Sequence, residues 1–351
     1  MAKQKNITKP IRIIIALCVF VGVWYVYSGI YRAEAQPGVE SLTFQVEEGD
    51  TAATLAARLE EKNIIRNQSL FEWYVRFKKI DTKIHRGTFT IQAPVTIAHI
   101  AQKLQDPSLD EVTITVIPGW NLRDIAAELE KKGIAGKEEV YAIVGEPAVD
   151  YRNRADKPTL QVNAAILRDK PDYVSFEGYF RPDTYRFFKD VTAEQVLERL
   201  VKERNRQLAQ SIIELKGVED KSLHDVMTMA SIIEKEVIHH DDKKMVADIF
   251  WKRHDAGMGL QADSTVHYVS GRGGDVFTTS KERDSENLWN TYKYPGLPPG
   301  PISTPGLESI DAAANPTPND YWYFITELDT GKVHYAKTLD EHNANVQKYL
   351  R

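Results

Sequence analysis

A strand, a glycine turn and a helix are predicted twice in this chain, and this repeat restricts the fold more than any other feature. The copies are TFQVEEGDTAATLAARLEEKNII at residues 43–65 and TITVIPGWNLRDIAAELEKKGIA at residues 113–135. In each copy, alternating apolar residues predict a strand, and apolar residues at helical spacing predict an amphipathic helix. Asp50 or Thr51 is expected to cap the first helix, and Asn121 the second.

The first copy is predicted to belong to a small unit of its own. Residues 71–79 predict a further helix, and GTFTIQ at residues 87–92 predicts a strand that closes the unit. The resulting β-α-α-β order resembles the LysM-like module, which is associated with polymers of N-acetylglucosamine. A spacer or packing domain is the alternative. The second copy is interpreted as the start of the main domain.

The main domain is predicted to contain both helices and strands. Its loops are rich in glycine and proline, and two strands at residues 321–326 and 333–337 are joined by a turn with Asp329 and Gly331. These features indicate an α+β domain. Helices are predicted at residues 193–215, 222–237, 243–255 and 307–314.

An apolar run at residues 13–30 is predicted to cross a membrane. Its length is close to what ~30 Å of hydrocarbon requires, and aromatic residues cluster toward its far end. Basic residues before it place the N-terminus in the cytoplasm and the rest of the chain outside, at the inner (plasma) membrane. The alternative is a cleaved signal peptide with Ala33, Glu34 and Ala35 as the cleavage site. The basic residues are Lys3, Lys5, Lys9 and Arg12.

Composition excludes several classes of function. The 45 basic and 50 acidic residues give a net charge of −5, so no nucleic-acid partner is predicted. The single cysteine, Cys18, lies in the apolar run, which excludes disulfides and thiolate metal sites downstream. The histidines show no H-x-x-x-H or H-x-H spacing, and no phosphate-binding loop is present. We therefore predict neither a metal nor a cofactor.

The helix predicted at residues 222–237 carries a carboxylate in its apolar stripe. At about 100° per residue, Glu234 falls among the apolar side chains, whereas Glu236 lies at the edge of the stripe. Burial favours the protonated form of a carboxylic acid, which is the form that a general acid needs. The alternative is a structural ion pair with an arginine from another element.

Three further segments carry polar and aromatic side chains that suit a ligand rich in hydroxyl and amide groups. They are residues 176–187, residues 259–268 and residues 288–303, the last two predicted as loops. Turn residues and core tyrosines are the structural alternatives. The candidate substrate-binding residues are Gln261, Asp263, Thr265, Asn290, Tyr292, Glu177 and Glu236.

Four motifs together resemble the endolytic murein transglycosylase family, the YceG-like proteins. They are FEGYFRPDTYRF, ASIIEKE, LQADSTVHY and GLPPGPISTPG, and the resemblance extends from the apolar run to the C-terminus. It implies that Glu234, the first glutamate of E-K-E, is catalytic. Ser264 stands where the family commonly has a proline.

The resemblance implies non-hydrolytic cleavage between N-acetylmuramic acid and N-acetylglucosamine, with Glu234 acting first as acid and then as base. A 1,6-anhydro ring closes on the muramic residue. The expected partners are peptidoglycan strands, the lipid bilayer through residues 13–30, and peptidoglycan synthases. The alternatives are a hydrolase that uses Asp263 as second carboxylate and a non-catalytic scaffold that binds the cell wall.

The predicted fold class is thus α+β. An N-terminal membrane helix occupies residues 1–31 with its cytoplasmic segment, and a linker and LysM-like β-α-α-β unit follow at residues 32–108. A mixed α+β catalytic domain occupies residues 109–351.

Overall fold

The computed structural model describes residues 8–32, 41–47, 49–85, 87–92, 95–105, 111–189, 191–211, 218, 220–272, 278–327 and 329–350. The chain divides into two compact units, Met1–Val112 with Arg186–Asp190, and Thr113–Tyr185 with Val191–Arg351. Several predicted features lie outside the described residues. They are Lys3, Lys5, the cleavage site at residues 33–35 and the end of the helix predicted at residues 193–215.

The first unit contains a strand–helix–helix–strand series of the order predicted from the sequence. Strands β1 and β2 are antiparallel, with Ser41 opposite Gln92 and Val46 opposite Gly87. Phe44 and Phe89 stack at 5.6 Å between ring centroids in the core. The likeness to a LysM module stays a prediction. The elements are α1 (Thr8–Tyr31), β1 (Ser41–Val46), α2 (Ala52–Glu61), α3 (Gln68–Phe77), β2 (Gly87–Gln92) and α4 (Ile97–Lys103).

Helix α1 exposes large apolar side chains along the part whose side chains are described, among them Leu17, Phe20 and Trp24. Near its end, Ile30 is buried in the core of the first unit. Among the helices of the described residues, none is both long and apolar enough to cross a membrane. The span predicted at residues 13–30 is therefore not confirmed.

The second unit is mainly helical and carries two small sheets. Strand β3 pairs with β4, and β5 pairs with β6 in an antiparallel hairpin. Its elements are β3 (Glu111–Val116) from Thr113 onward, α5 (Leu122–Lys131), α6 (Lys137–Val144), β4 (Asp183–Phe188) as far as Tyr185, α7 (Ala193–Gln210), α8 (Leu223–Glu236), α9 (His240–Asp255), α10 (Asp263–Ser270), α11 (Ser280–Arg283), α12 (Leu307–Ala314), β5 (Tyr323–Thr326), β6 (Val333–Ala336) and α13 (Leu339–Tyr349).

Side-chain caps explain why the helices begin where they do. Thr51 caps α2 and Asn121 caps α5, each in a capping box with the residue three positions on. Ser222 caps α8 in the same way with Asp225. Because such caps depend on adjacent residues, they can be predicted from the sequence.

Helix α8 forms the centre of the second unit and packs against α9 and α12. Every residue from 226 to 233 is buried. This part of the helix is therefore buried on every face, and not only on the apolar face expected from the sequence. The polar side chains of Thr228 and Ser231 donate to backbone carbonyl groups within the helix. A helix buried in this way holds its C-terminal end, with Glu234 and Glu236, in a fixed position.

The segment at residues 259–268, predicted as a loop, is helical in its second half. Asp263 to Ser270 form α10, in which the side chains of Thr265, Val266 and Tyr268 are buried. The prediction of a loop was wrong here.

Candidate active site

The carboxylate of Glu234 is held by one oxygen and open at the other. Its Oε2 accepts hydrogen bonds from the Gly306 N–H at 3.0 Å and from the Ser309 hydroxyl at 2.5 Å. The ammonium group of Lys243 lies 3.4 Å from the same oxygen. Within the described residues, Oε1 makes no hydrogen bond. One oxygen is therefore fixed, and the other is left to act on a ligand.

The position of this carboxylate follows from the start of helix α12. Gly306 is the N-cap of α12 and supplies no side-chain cap of its own. A Cβ at this position would lie 3.4 Å from Glu234 Oε2, an ordinary van der Waals contact. The unpaired N–H groups and partial positive charge of a helix N-terminus attract an anion. Glu234 takes the place of the missing cap.

The glycine turn of the second repeat copy lies beside Glu234. A Cβ on Gly119, whose φ is +82°, would lie 3.9 Å from Glu234 Cγ. The Gly119 N–H donates to the Thr304 carbonyl at 2.8 Å, and the Thr304 N–H donates to the Trp120 carbonyl at 2.6 Å. These bonds bring the turn together with the motif at residues 296–306.

Arg204 fixes the segment that leads into Gly306. Its fully buried guanidinium group donates to the carbonyl oxygens of Phe180 and Pro305, in each case at 2.6 Å. Burial lowers the pKa of Arg204 to about 9. Helix α7 thus connects two of the four motifs through one side chain, and Pro305 immediately precedes the glycine that binds Glu234.

The surroundings of the Glu234 carboxylate are more polar than the sequence predicted. An apolar environment was expected, with an ion pair to arginine as the alternative. The structure places Lys243, not an arginine, against the carboxylate, and the exposed side-chain fractions of the pair are 7% and 11%. The reason is that the Glu234 side chain meets the polar groups of the first turns of α9 and α12.

Glu236 points to a different neighbour, the start of α10. Its Oε1 accepts a hydrogen bond from the Ser264 hydroxyl at 2.6 Å. Burial is the main reason that the pKa of Glu236 is raised; the Ser264 bond opposes the shift and the charge of Asp263 adds to it. Ser264 therefore supplies a hydroxyl donor to the Glu236 carboxyl group.

Asp263 and Tyr292 lie in the same polar cluster. The Tyr292 hydroxyl donates to Asp263 Oδ1 at 2.9 Å, and the Thr278 hydroxyl donates to the same oxygen at 2.6 Å. Burial, and then the charge of Asp263, raise the pKa of Tyr292, which keeps its hydroxyl protonated. We call Glu236, Asp263, Ser264, Thr278 and Tyr292 the Glu236 cluster.

Thr265 and Asn290, both candidate substrate-binding residues, are buried within the protein. Thr265 is 0% exposed and its hydroxyl donates to the Ala262 carbonyl at 2.7 Å. Asn290 is 0% exposed and its amide donates to the carbonyl oxygens of Arg283 and Ser285. Their polar atoms bond to backbone carbonyl groups of the protein, so these two side chains stabilise the local backbone.

Glu177 and Gln261 differ sharply in exposure. Glu177 is 1% exposed and its Oε2 accepts the Leu122 N–H at 2.9 Å, at the start of α5. Burial is the main cause that raises the pKa of Glu177 to about 8. Gln261 is exposed, with a φ of 54°, and only its backbone is held, by the Thr291 carbonyl. Of the two, only Gln261 is open to a ligand.

The sequence did not indicate several residues that the structure places around Glu234. The sequence predicted a helix that begins next to Gly306, but it did not reveal which carboxylate binds the start of that helix. Lys243 lies nine positions after Glu234, and no local pattern pairs them. The missed residues are Gly119, Trp120, Arg204, Lys243, Gly306 and Ser309.

The arrangement suits proton transfer by one glutamate. The open Oε1 can give or take a proton, while the three donors on Oε2 stabilise the charged form. Among the residues that the structure describes, no group of three or more histidine, cysteine or acidic side chains is arranged to hold a metal ion.

Fold and site together define an α+β protein with a glutamate held at the end of a buried helix. A model described as the YceG-like family matches residues 44–348, and the chain belongs to this family. The resemblance drawn from the four motifs is confirmed.

Several known proteins are similar to this chain. A Bacillus subtilis protein named endolytic murein transglycosylase is 29% identical over 312 residues, which cover 88% of this chain and 85% of that protein. A Streptococcus pneumoniae protein of the same name is 25% identical, and the match covers 94% of this chain but 62% of the relative. A crystal structure of a yceG-like protein from Listeria monocytogenes has a TM-score of 0.55 at 32% identity, covering 88% of this chain and 99% of that one.

Replacement of Glu234 by glutamine should lower the free energy of unfolding by about 1–3 kcal/mol. Gly306 and Ser309 can still donate to the amide oxygen, but Lys243 then has no anion beside it. Urea denaturation would measure the change. Glu308→Gln, on the exposed face of α12, is the matched control and should stay within ~0.5 kcal/mol of wild type. A Glu234→Gln variant as stable as wild type would contradict the ion pair.

Asn290→Ala should destabilise the protein by about 1–3 kcal/mol, because two buried carbonyl groups lose their donor. Gln261→Asn, at an exposed position whose positive φ asparagine tolerates, should have almost no effect. Thermal unfolding of the two variants beside wild type measures this contrast. Equal melting temperatures for Asn290→Ala and wild type would show that the Asn290 amide does not hold the loop.

Proposed function

We propose that this chain is an endolytic lytic transglycosylase that cleaves the β-1,4 bond between N-acetylmuramic acid and N-acetylglucosamine within peptidoglycan strands. The observation that carries the proposal is the carboxylate of Glu234, fixed at Oε2 and open at Oε1. The names of the Bacillus and Streptococcus relatives support it.

In the first step, Glu234 donates a proton from Oε1 to the glycosidic oxygen while the bond from that oxygen to the muramic C1 breaks. The leaving N-acetylglucosamine keeps this proton on its 4-hydroxyl group. The resulting carboxylate is stabilised by the Gly306 N–H, the Ser309 hydroxyl and the Lys243 ammonium group. Fixed donors of this kind require no reorganisation during the reaction.

In the second step, the Glu234 carboxylate takes the proton from the muramic C6 hydroxyl, and the C6 oxygen bonds to C1. The 1,6-anhydro ring closes, and Glu234 regains the proton that it gave up. No water is consumed. A single acid–base residue is sufficient, whereas most glycoside hydrolases use two carboxyl groups ~5–9.5 Å apart.

We assign Asp263 to the substrate groove and not to a second catalytic role. Two hydroxyl groups already occupy its Oδ1, and its charge acts on Glu236. In this assignment Gln261, Tyr292 and Glu236 face the saccharide with Asp263. Thr265, Asn290 and Glu177 act by holding the surrounding loops and the start of α5.

We propose that residues 32–108 form a LysM-like unit that helps to hold the glycan, before a catalytic domain at residues 109–351. The β-α-α-β order supports this. On α3, the exposed rings of Trp73 and Phe77 stack at 5.0 Å beside a cavity of about 480 Å³. Exposed aromatic rings flanked by polar side chains offer a surface on which a sugar ring can stack. The polar side chains of the cavity are Ser69, Glu72 and Arg76.

We propose that residues 1–31 anchor the chain in the plasma membrane by a single span, with the catalytic domain outside. The basic residues before the apolar run and the exposed apolar side chains of α1 support this. In this position the enzyme acts on nascent strands close to the synthases that make them.

Purified peptidoglycan strands incubated with the full chain should yield shorter fragments with 1,6-anhydro ends, identified by mass spectrometry. Glu234→Gln should lose cleavage by a factor of roughly 10²–10⁴, because proton transfer is removed. Glu308→Gln, with the same change at an exposed site, should cleave normally. Products with reducing ends would instead show a hydrolase, and a folded wild-type chain that binds strands without cleaving them would show a scaffold.

A C-terminal alkaline phosphatase fusion to the full chain should be active, because this reporter works only outside the cytoplasm. The N-terminus of the mature protein should remain intact, since the apolar run is proposed to stay as an anchor. An inactive fusion would contradict the topology. A mature chain that starts near residue 36 would show a cleaved signal peptide.

A further inference from the structure

We propose that Lys243 is a positioning residue that sets the pH range in which Glu234 can work. The proposal rests on the proposed function of Glu234 as acid and base. Lys243 lies on α9 and contacts Oε2 of Glu234, not the open Oε1. It therefore acts on the glutamate and not on the substrate.

The pair is more sheltered from water than an ion pair on the surface. The Nζ–Oε2 distance is 3.4 Å, and Lys243 as a whole is 5% exposed. Exposed ion pairs are screened by solvent and contribute little, whereas charges away from water interact more strongly. Within the described residues, Glu234 is the hydrogen-bond partner of the Lys243 ammonium group.

The other charges around Glu234 are engaged elsewhere. Arg204 acts on the carboxylate only through space, since its guanidinium group donates to backbone carbonyl oxygens. Lys235 donates to the Gly119 carbonyl at 3.3 Å. On α12, Glu308 is exposed and Asp311 pairs with Lys244 at 2.8 Å. Lys243 is therefore the cation whose contact can set the charge of Glu234.

A cation beside a carboxylate favours the charged form of the carboxyl group. It therefore helps the acid to release its proton, and it lowers the pH above which the protonated form is lost. Removal of the Lys243 charge should move the alkaline limb of the activity profile upward by roughly 1–2 pH units. The rate on the plateau should fall as well, because Glu234 then loses one of the three donors that fix its orientation.

The test measures kcat for formation of anhydro products from acid to alkaline pH with the full chain. Lys243→Met removes the charge and keeps most of the volume, and Lys243→Arg keeps the charge. Lys244→Met is the matched control, since it breaks the neighbouring α9–α12 ion pair with Asp311 and leaves Glu234 untouched. We expect the upward shift in Lys243→Met alone, with the arginine variant close to wild type.

A second measurement keeps failure of this inference apart from failure of the proposed function. The carboxyl carbon of Glu234 can be followed by NMR, with its signal assigned by its loss in Glu234→Gln. Its titration should move to higher pH in Lys243→Met whether or not the wild type cleaves peptidoglycan. If Lys243→Met does not fold, Ser309→Ala should move both readouts in the same direction by a smaller amount.

Two results would overturn the inference. The first is an alkaline limb and a Glu234 titration in Lys243→Met that coincide with wild type. The second is an equal shift in Lys244→Met, which would mean that loosened packing between α9 and α12 causes the effect.

Discussion

The bond between the Glu234 carboxylate and the start of α12 joins three helices that are distant in the chain. Glu234 comes from the end of α8, Gly306 and Ser309 from the first turn of α12, and Lys243 from α9. The helix start supplies unpaired N–H groups, Ser309 supplies a hydroxyl group, and the lysine supplies an ammonium group. Each of these groups needs a partner once buried, and one carboxylate provides it for all three.

Other acidic side chains of the second unit bind helix starts in the same way. Glu177 accepts the Leu122 N–H at the start of α5, and Glu236 accepts the Ser264 hydroxyl at the start of α10. Polar motifs that separate helices in the sequence therefore serve two purposes. Some of their residues hold the start of a helix, whereas Gln261 is exposed.

The parts of the structure that could be predicted from the sequence are those that depend on neighbouring residues in the chain. The helix at residues 222–237, the helix at residues 307–314 and the β5–β6 hairpin follow from local periodicity and agree with the structure to within one or two residues. The pairing of Glu234 with Lys243 depends on how α8, α9 and α12 pack, and Asn290 is buried by tertiary contacts. Sequence patterns carry no signal for either.

The spacing of the two glutamates in E-K-E places them in opposite electrostatic environments. Residues two positions apart on a helix point about 200° away from each other. Glu234 therefore faces a cation and a helix start, which stabilise its charged form, whereas Glu236 faces Asp263, whose charge adds to the effect of burial and favours the protonated form. One carboxyl group therefore lies in surroundings that favour its charged form, and the other in surroundings that favour its protonated form. Both glutamates come from the end of one buried helix, and the starts of α9, α12 and α10 supply their different surroundings.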